Sequence, residues 1–167
     1  MQFEPPHPNG LKLRASFGKF ATGVTIVSAI SKAGKPVGFT ANSFTSVSLD
    51  PALLLVAIGK DNKLHEVFET AAHFAISILQ QNQQTISNQF ANPNGMRFEA
   101  LENDGGLSPY IGPFGLPLIP DALAWFCCES ERVIEAGDHS LLIGKILQHG
   151  EAQASNAPLI YWNGQYL

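Results

Sequence analysis

Charge is scarce in this sequence. Of 167 residues only 14% are Asp, Glu, Lys or Arg, where an average globular domain has about a quarter. The formal net charge is −4, and no Lys/Arg run or stripe exists to release counterions from a phosphate backbone, so nucleic acid is not an expected partner. Cysteine is nearly absent. The two present, Cys127 and Cys128, are neighbours. Adjacent Cα atoms lie about 3.8 Å apart, short of the roughly 4.4–6.8 Å that a disulfide spans. They read as small strand residues in a reducing cytoplasm. No apolar run reaches the ~18–20 residues of a membrane span, and the first ten residues lack the charged-then-apolar order of a signal peptide. The expectation is a cytoplasmic protein without a membrane.

Self-contained catalytic motifs are missing as well. His7, His65, His73, His139 and His149 include no i, i+4 pair and no ligand-spaced acid, so a built-in metal site is not expected. No G-x-S-x-G elbow, P-loop or G-x-G-x-x-G follows a strand-like run. With few acids to pair, hydrolysis has little to work with, and the chemistry shifts toward a cofactor that brings its own reactivity. Low charge points the same way. Apolar surface must be covered, by an oligomer interface or by a bound aromatic group.

What is present reads as short strands in one domain. Residues 1–10, with Pro5, Pro6 and Pro8, form an irregular arm, and residues 11–167 the folded unit. An amphipathic helix carrying Leu13, Phe17, Phe20 and Ala21 is expected to stop at Gly23. Strands follow over "VTIVSAI", over "VGFTANSFTSVS" with a kink near Asn42, and over "ALLLVAIGK", apolar throughout and so covered on both faces. "KLHEVFET" and "QQTISNQFAN" read as helices around the strand "HFAISIL", and residues 93–120, rich in Pro and Gly, as a long loop. "ALAWFCCESERVIEAG" and "SLLIGKILQH" pair around "AGDH", and "APLIYWNGQYL" closes the chain as a strand. Many short strands with few helices argue for a mainly β fold, a closed β-barrel rather than a parallel sheet.

One stretch needs a reason for its chemistry. "GFTANSFTSVSLDP" alternates like a strand yet carries many short hydroxyls, as if holding something polar. Taken in order, "FATGVTIVSA", this stretch, "FAISIL" with "ISNQFA", "AGDHSLLIGKI" and "PLIYWNGQY" resemble the short-chain flavin reductases. Those are the reductase components of two-component flavin-dependent monooxygenases. The resemblance runs from about Phe17 to the C-terminus. It implies a Greek-key FMN-binding split barrel that forms a homodimer, with FMN or FAD near the subunit interface. It also implies NADH or NADPH as hydride donor and a separate monooxygenase as partner.

The resemblance implies site residues too, and their chemistry agrees with it. A flavin ring is apolar on its faces and polar along one edge. Thr40, Ala41, Asn42 and Ser43 offer small donors without bulk, and Ser46 and Ser48, flanking Val47, should share one strand face. Ala57, Ile58, Gly59, Lys60, Asn62 and Lys63 lead into a helix whose free N–H groups attract a phosphate. Phe90, Ala91 and Arg97 complete the flavin set. Relatives often carry Ser or Thr where Asp61, Asn62 and Lys63 stand, and an inward Asp61 would repel an anion. Gly137, Asp138, His139 and Ser140 form the nicotinamide turn, with His139 positioning the ring. The rival readings are a flavin-binding electron carrier or sensor on the same fold without reductase turnover, and a flavin-free interaction domain.

Overall fold

Strand pairing dominates the computed structural model, which describes residues 10–93, 98, 110–152 and 156–167. The arm before Gly10, most of the long loop, and Arg97 lie outside the described residues. The chain opens with α1 (Leu11–Phe17), β1 (Thr22–Gly23), β2 (Thr25–Ile30), β3 (Pro36–Ala41), β4 (Thr45–Leu49) and β5 (Ala52–Gly59). It continues through α2 (His65–Thr70), β6 (His73–Ile78), α3 (Gln84–Ala91), β7 (Tyr110–Ile111) and β8 (Pro117–Leu118). Two long strands follow, β9 (Ala124–Ala136) and β10 (His139–Glu151), then β11 (Ile160–Trp162) and β12 (Gln165–Tyr166). No helix among the described residues is long and apolar enough to cross a membrane.

Seven strands form one antiparallel sheet in the order β3-β2-β6-β9-β10-β5-β4. Its two edge strands, β3 and β4, are consecutive in the chain, and only Asn42, Ser43 and Phe44 join them. The edges of a flat seven-stranded sheet would be roughly 29 Å apart at about 4.8 Å per strand. Ala41 and Thr45 are four residues apart, a reach of about 14 Å at most. The sheet is therefore rolled until its edges nearly meet. Among the described residues the ladder does not close, because β3 and β4 do not pair with each other; the mainly β class is found, and closure into a barrel is not. Ser43 reaches across instead. Its Oγ donates to the Ala57 carbonyl at 3.2 Å and accepts the Ala57 N–H at 2.9 Å, continuing the β4–β5 pairing by a side chain.

Inside the roll, Val27, Phe39, Leu54, Val56, Ile58, Phe68, Phe74 and Leu142 form the core, with Cys128 among them. In β5 the buried residues Leu54, Val56 and Ile58 alternate with half-buried ones, so only one face is fully covered. Both thiols are free and buried. Burial, then the neighbouring Cys127, pushes the Cys128 thiol up to about 12, leaving no thiolate at neutral pH. A second core of Val24, Ile26, Leu79, Phe90, Phe98, Ile119 and Leu159 lies under α3.

Three local expectations change. α1 ends at Gly18, not Gly23, and buries no residue. The expected kink at Asn42 is a full break that sends the chain from one sheet edge to the other. The C-terminal strand is a hairpin, β11–β12, joined by Asn163 and Gly164 at φ 51° and 85°. Asn-Gly suits a turn with two left-handed residues, and that dipeptide is the signal in the sequence. The β9–β10 hairpin forms as expected, with Gly137 at φ 65° in its two-residue turn.

Candidate functional site

The strand register brings two predicted segments together. β5 pairs with β10 so that Gly59 faces His139, and the Lys60 N–H donates to the Asp138 carbonyl at 2.9 Å. The loop after β5 and the hairpin turn are thus one surface. The Asp138 Oδ1 lies 2.8 Å from His139 Nδ1. The carboxylate holds Nδ1 as an N–H donor, so Nε2 is the ring nitrogen left for a ligand, accepting when the imidazole is neutral and donating when it is protonated. The His139 hydrogen bond and charge hold the Asp138 carboxyl below its usual range, with a smaller contribution from the Arg14 guanidinium. Asp61 folds back beside His139. A Cβ built on Gly59 would lie 2.7 Å from Asp61 Oδ1 and 3.7 Å from His139 Nε2.

The loop itself is already bonded. The Leu64 N–H donates to Asn62 Oδ1 at 2.9 Å, and the His65 N–H to the Asn62 carbonyl at 2.8 Å. Asn62 thereby occupies two N–H groups at the entry to the six-residue α2, whose N-cap Leu64 makes no side-chain cap, and the helix start has fewer free N–H groups for an anion than the sequence implied. Lys60 Nζ donates to Glu135 Oε2 at 3.0 Å and holds that carboxyl below the ordinary range. Ser140 is 0% exposed, and its hydroxyl lies 2.9 Å from His65 Nε2. Its side chain faces the interior, not a ligand.

The hydroxyl-rich segment divides in the same way. Thr40 Oγ1 donates to the Ser87 carbonyl of α3 at 2.6 Å, and the Thr25 hydroxyl donates to the Ala41 carbonyl at 2.9 Å. Ser43 holds Ala57, as described. A bulge at Val47 sets Ser46 opposite Leu54 and Ser48 opposite Leu53. Consecutive residues of β5 point to opposite faces, so the two serines do not share one, contrary to expectation. Among the described residues Asn42, Ser46 and Ser48 make no side-chain hydrogen bond with protein. Phe90 is buried against Gly38 and Phe98, Ile58 is in the core, and Ala91 is exposed.

A cleft of about 970 Å³, lined by Arg14, Phe17, Phe20, Thr22, Asn42, Tyr161, Asn163 and Gly164, opens between α1 and the C-terminal hairpin. Except for Asn42, sequence reasoning missed these residues. The signal was available in α1, whose apolar face has no core to enter. The Thr22 hydroxyl is buried and without a hydrogen-bond partner among the described residues. Aromatic walls, an amide and an unsatisfied hydroxyl fit a planar group with a polar edge.

Residues 17–167 match the family model described as flavin reductase like domain. The reductase component of a flavin-dependent trigonelline monooxygenase from Acinetobacter baylyi is 47% identical over 93% of this chain and 47% of its own length. An NADH-dependent FMN reductase of Agrobacterium fabrum is 38% identical over 98% of this chain and 88% of its own. The solved NADH:FAD oxidoreductase of Streptomyces globisporus, in complex with NAD and FAD fragments, superposes with a TM-score of 0.86 at 32% identity. That match covers 100% of this chain and 96% of the other. The chain spans 41%, 47% and 56% of three curated relatives it matches, about half their length. The mainly β architecture, the joined loop and turn, and these matches place the chain in the flavin reductase-like domain family.

Proposed function

We propose that this chain is an NAD(P)H:flavin oxidoreductase unit that delivers reduced flavin to a separate monooxygenase. The observation that carries the reading is the β5–β10 register, which places the loop after β5 beside the His139 turn. A flavin bound there supplies the hydride acceptor and reduced nicotinamide the hydride. The chain's residues bind and orient. Asn42, Ser46 and Ser48 offer uncommitted polar groups to a flavin edge, and Lys60 and Lys63, with Arg97 outside the described residues, offer charge to a phosphate. His139, fixed by Asp138, presents Nε2 to an amide such as the nicotinamide carboxamide, whose NH2 can meet a neutral ring and whose carbonyl can meet a protonated one. No protein acid or base is needed in the hydride step, which agrees with the lack of a paired acid–base motif.

The relatives named as NADH-dependent reductases and as monooxygenase reductase components support this reading. Purified protein mixed with NADH, excess flavin and air should consume NADH steadily. A yellow but inert protein would favour the carrier or sensor, and a colourless inert one the flavin-free domain.

The rolled sheet is proposed to act as a split barrel in a cytoplasmic homodimer. Leu49 at 96% exposure, Phe20 at 78% and Phe17 at 69% leave apolar surface that a second copy would cover. Light scattering should give twice the chain mass at micromolar concentration, and a flavin-bound monomer would end the dimer reading. Ser46→Val, which keeps strand propensity, should weaken flavin binding threefold to tenfold. The loss is that of about one neutral hydrogen bond, about 0.5–1.5 kcal/mol, because this exposed edge rewets. Equilibrium titration of flavin fluorescence measures it, and unchanged affinity in the folded variant removes Ser46 from the site.

A further inference from the structure

We infer that His65 is a positioning residue for the nicotinamide turn, acting through Ser140. The inference deepens the reductase reading and rests on it for its kinetic consequence, though not for its structural one. Three bonds tie the segment after β5 to the tip of the β9–β10 hairpin. The Lys60 N–H meets the Asp138 carbonyl, Lys60 Nζ meets Glu135, and His65 Nε2 meets Ser140 Oγ. The first two are on exposed residues, where water competes for every partner. The third is different. Ser140 is fully buried and begins the inward face of β10 opposite Ile58, so its hydroxyl has no water to turn to if His65 is removed.

The geometry makes this bond a lever on His139. Successive side chains of a strand point to opposite faces, so Ser140 facing inward sets His139 facing outward. A shift at Ser140 tilts the neighbouring peptide and with it the imidazole. Glu69 Oε2 lies 4.0 Å from His65 Nδ1 on the same helix, beyond hydrogen-bond distance, and the Nε2–Ser140 bond at 2.9 Å can form with either group as donor. His65 is the first residue of α2 and touches the hairpin only through this bond among the hydrogen bonds described.

His65→Ala should raise amide hydrogen exchange across residues 136–141 about tenfold, because the turn opens locally without global unfolding. It should also lower kcat/KM for NADH about tenfold with flavin affinity unchanged, since small misplacements of a positioning group fall on the positioned substrate. His65→Gln places an amide near the Nε2 position and should restore both. Ser140→Ala should reproduce the loss, and combining it with His65→Ala should add little further. Melting temperatures recorded alongside separate this from global destabilisation. Unchanged exchange at the turn in folded His65→Ala overturns the inference, as does faster exchange with wild-type kcat/KM. A wild-type protein that oxidises no NADH overturns the reductase reading instead, and the exchange comparison still decides the role of His65.

Discussion

Replacing His139 by alanine is expected to lower kcat/KM for the nicotinamide nucleotide by about tenfold to a hundredfold, with flavin affinity nearly intact. The imidazole is exposed, sits at the start of β10, and has its Nδ1 face occupied by Asp138. Only Nε2 is left to meet a ligand, and it lies on the surface that joins the turn to Gly59. Alanine removes that contact without opening a cavity, because the ring is not part of either core. Dithionite needs no nicotinamide pocket and should reduce flavin bound to the variant at the wild-type rate. Stopped-flow reduction with NADH and with dithionite, beside a melting curve, gives all three quantities. A destabilised variant with unchanged hydride transfer would return His139 to an ordinary turn residue.

Gly144→Ala should destabilise the fold by roughly 1–3 kcal/mol, the usual penalty for overpacking a dense core. Gly144 is buried in mid-strand at an irregularity of the β9–β10 register. A Cβ there would lie 2.5 Å from Phe74 Cζ and 2.9 Å from Cys128 Cβ. Neither can retreat easily, since Phe74 and Cys128 are both in the core that fills the roll. A chain of this size should lose about 2–4 °C of melting temperature for each kcal/mol. Phe74→Leu in the same chain withdraws the ring atom and should recover part of the loss. A Gly144→Ala protein that melts with the wild type would mean the ring moves freely, contrary to the packing described.

How much of this was legible in the sequence depends on the range of the interaction. Strand β2 follows from alternation, β5 from a short continuous apolar run and the hairpin around Gly137-Asp138 from its turn residues, all of which are local signals. The assignment of β3 and β4 to opposite edges does not, because it is decided by which strands pair with them. The same holds within the site. Thr40, Ser43 and Ser140 look alike as small hydroxyls, yet each is committed to a partner 47, 14 or 75 residues away. Local pattern identified the hydroxyl-rich segment but could not separate structural hydroxyls from those left for a ligand. The bulge at Val47 likewise cancels the simple two-residue period on which a shared face for Ser46 and Ser48 relied.

The short bridge from Ala41 to Thr45 makes the molecule unequal in its tolerance of added length. Surface connections usually accept insertions at small entropic cost, and the exposed turn at Ala33-Gly34 between β2 and β3 should do so. The bridge at Asn42–Phe44 is a tether that sets the curvature of the sheet. A flexible Gly-Ser insert there would let β3 and β4 move apart, loosen the Ser43 crossing to Ala57, and widen the opening beside Asn42. The same insert would thus be silent in one turn and would unroll the protein's edge in the other, a contrast that small-angle scattering of the two variants would register.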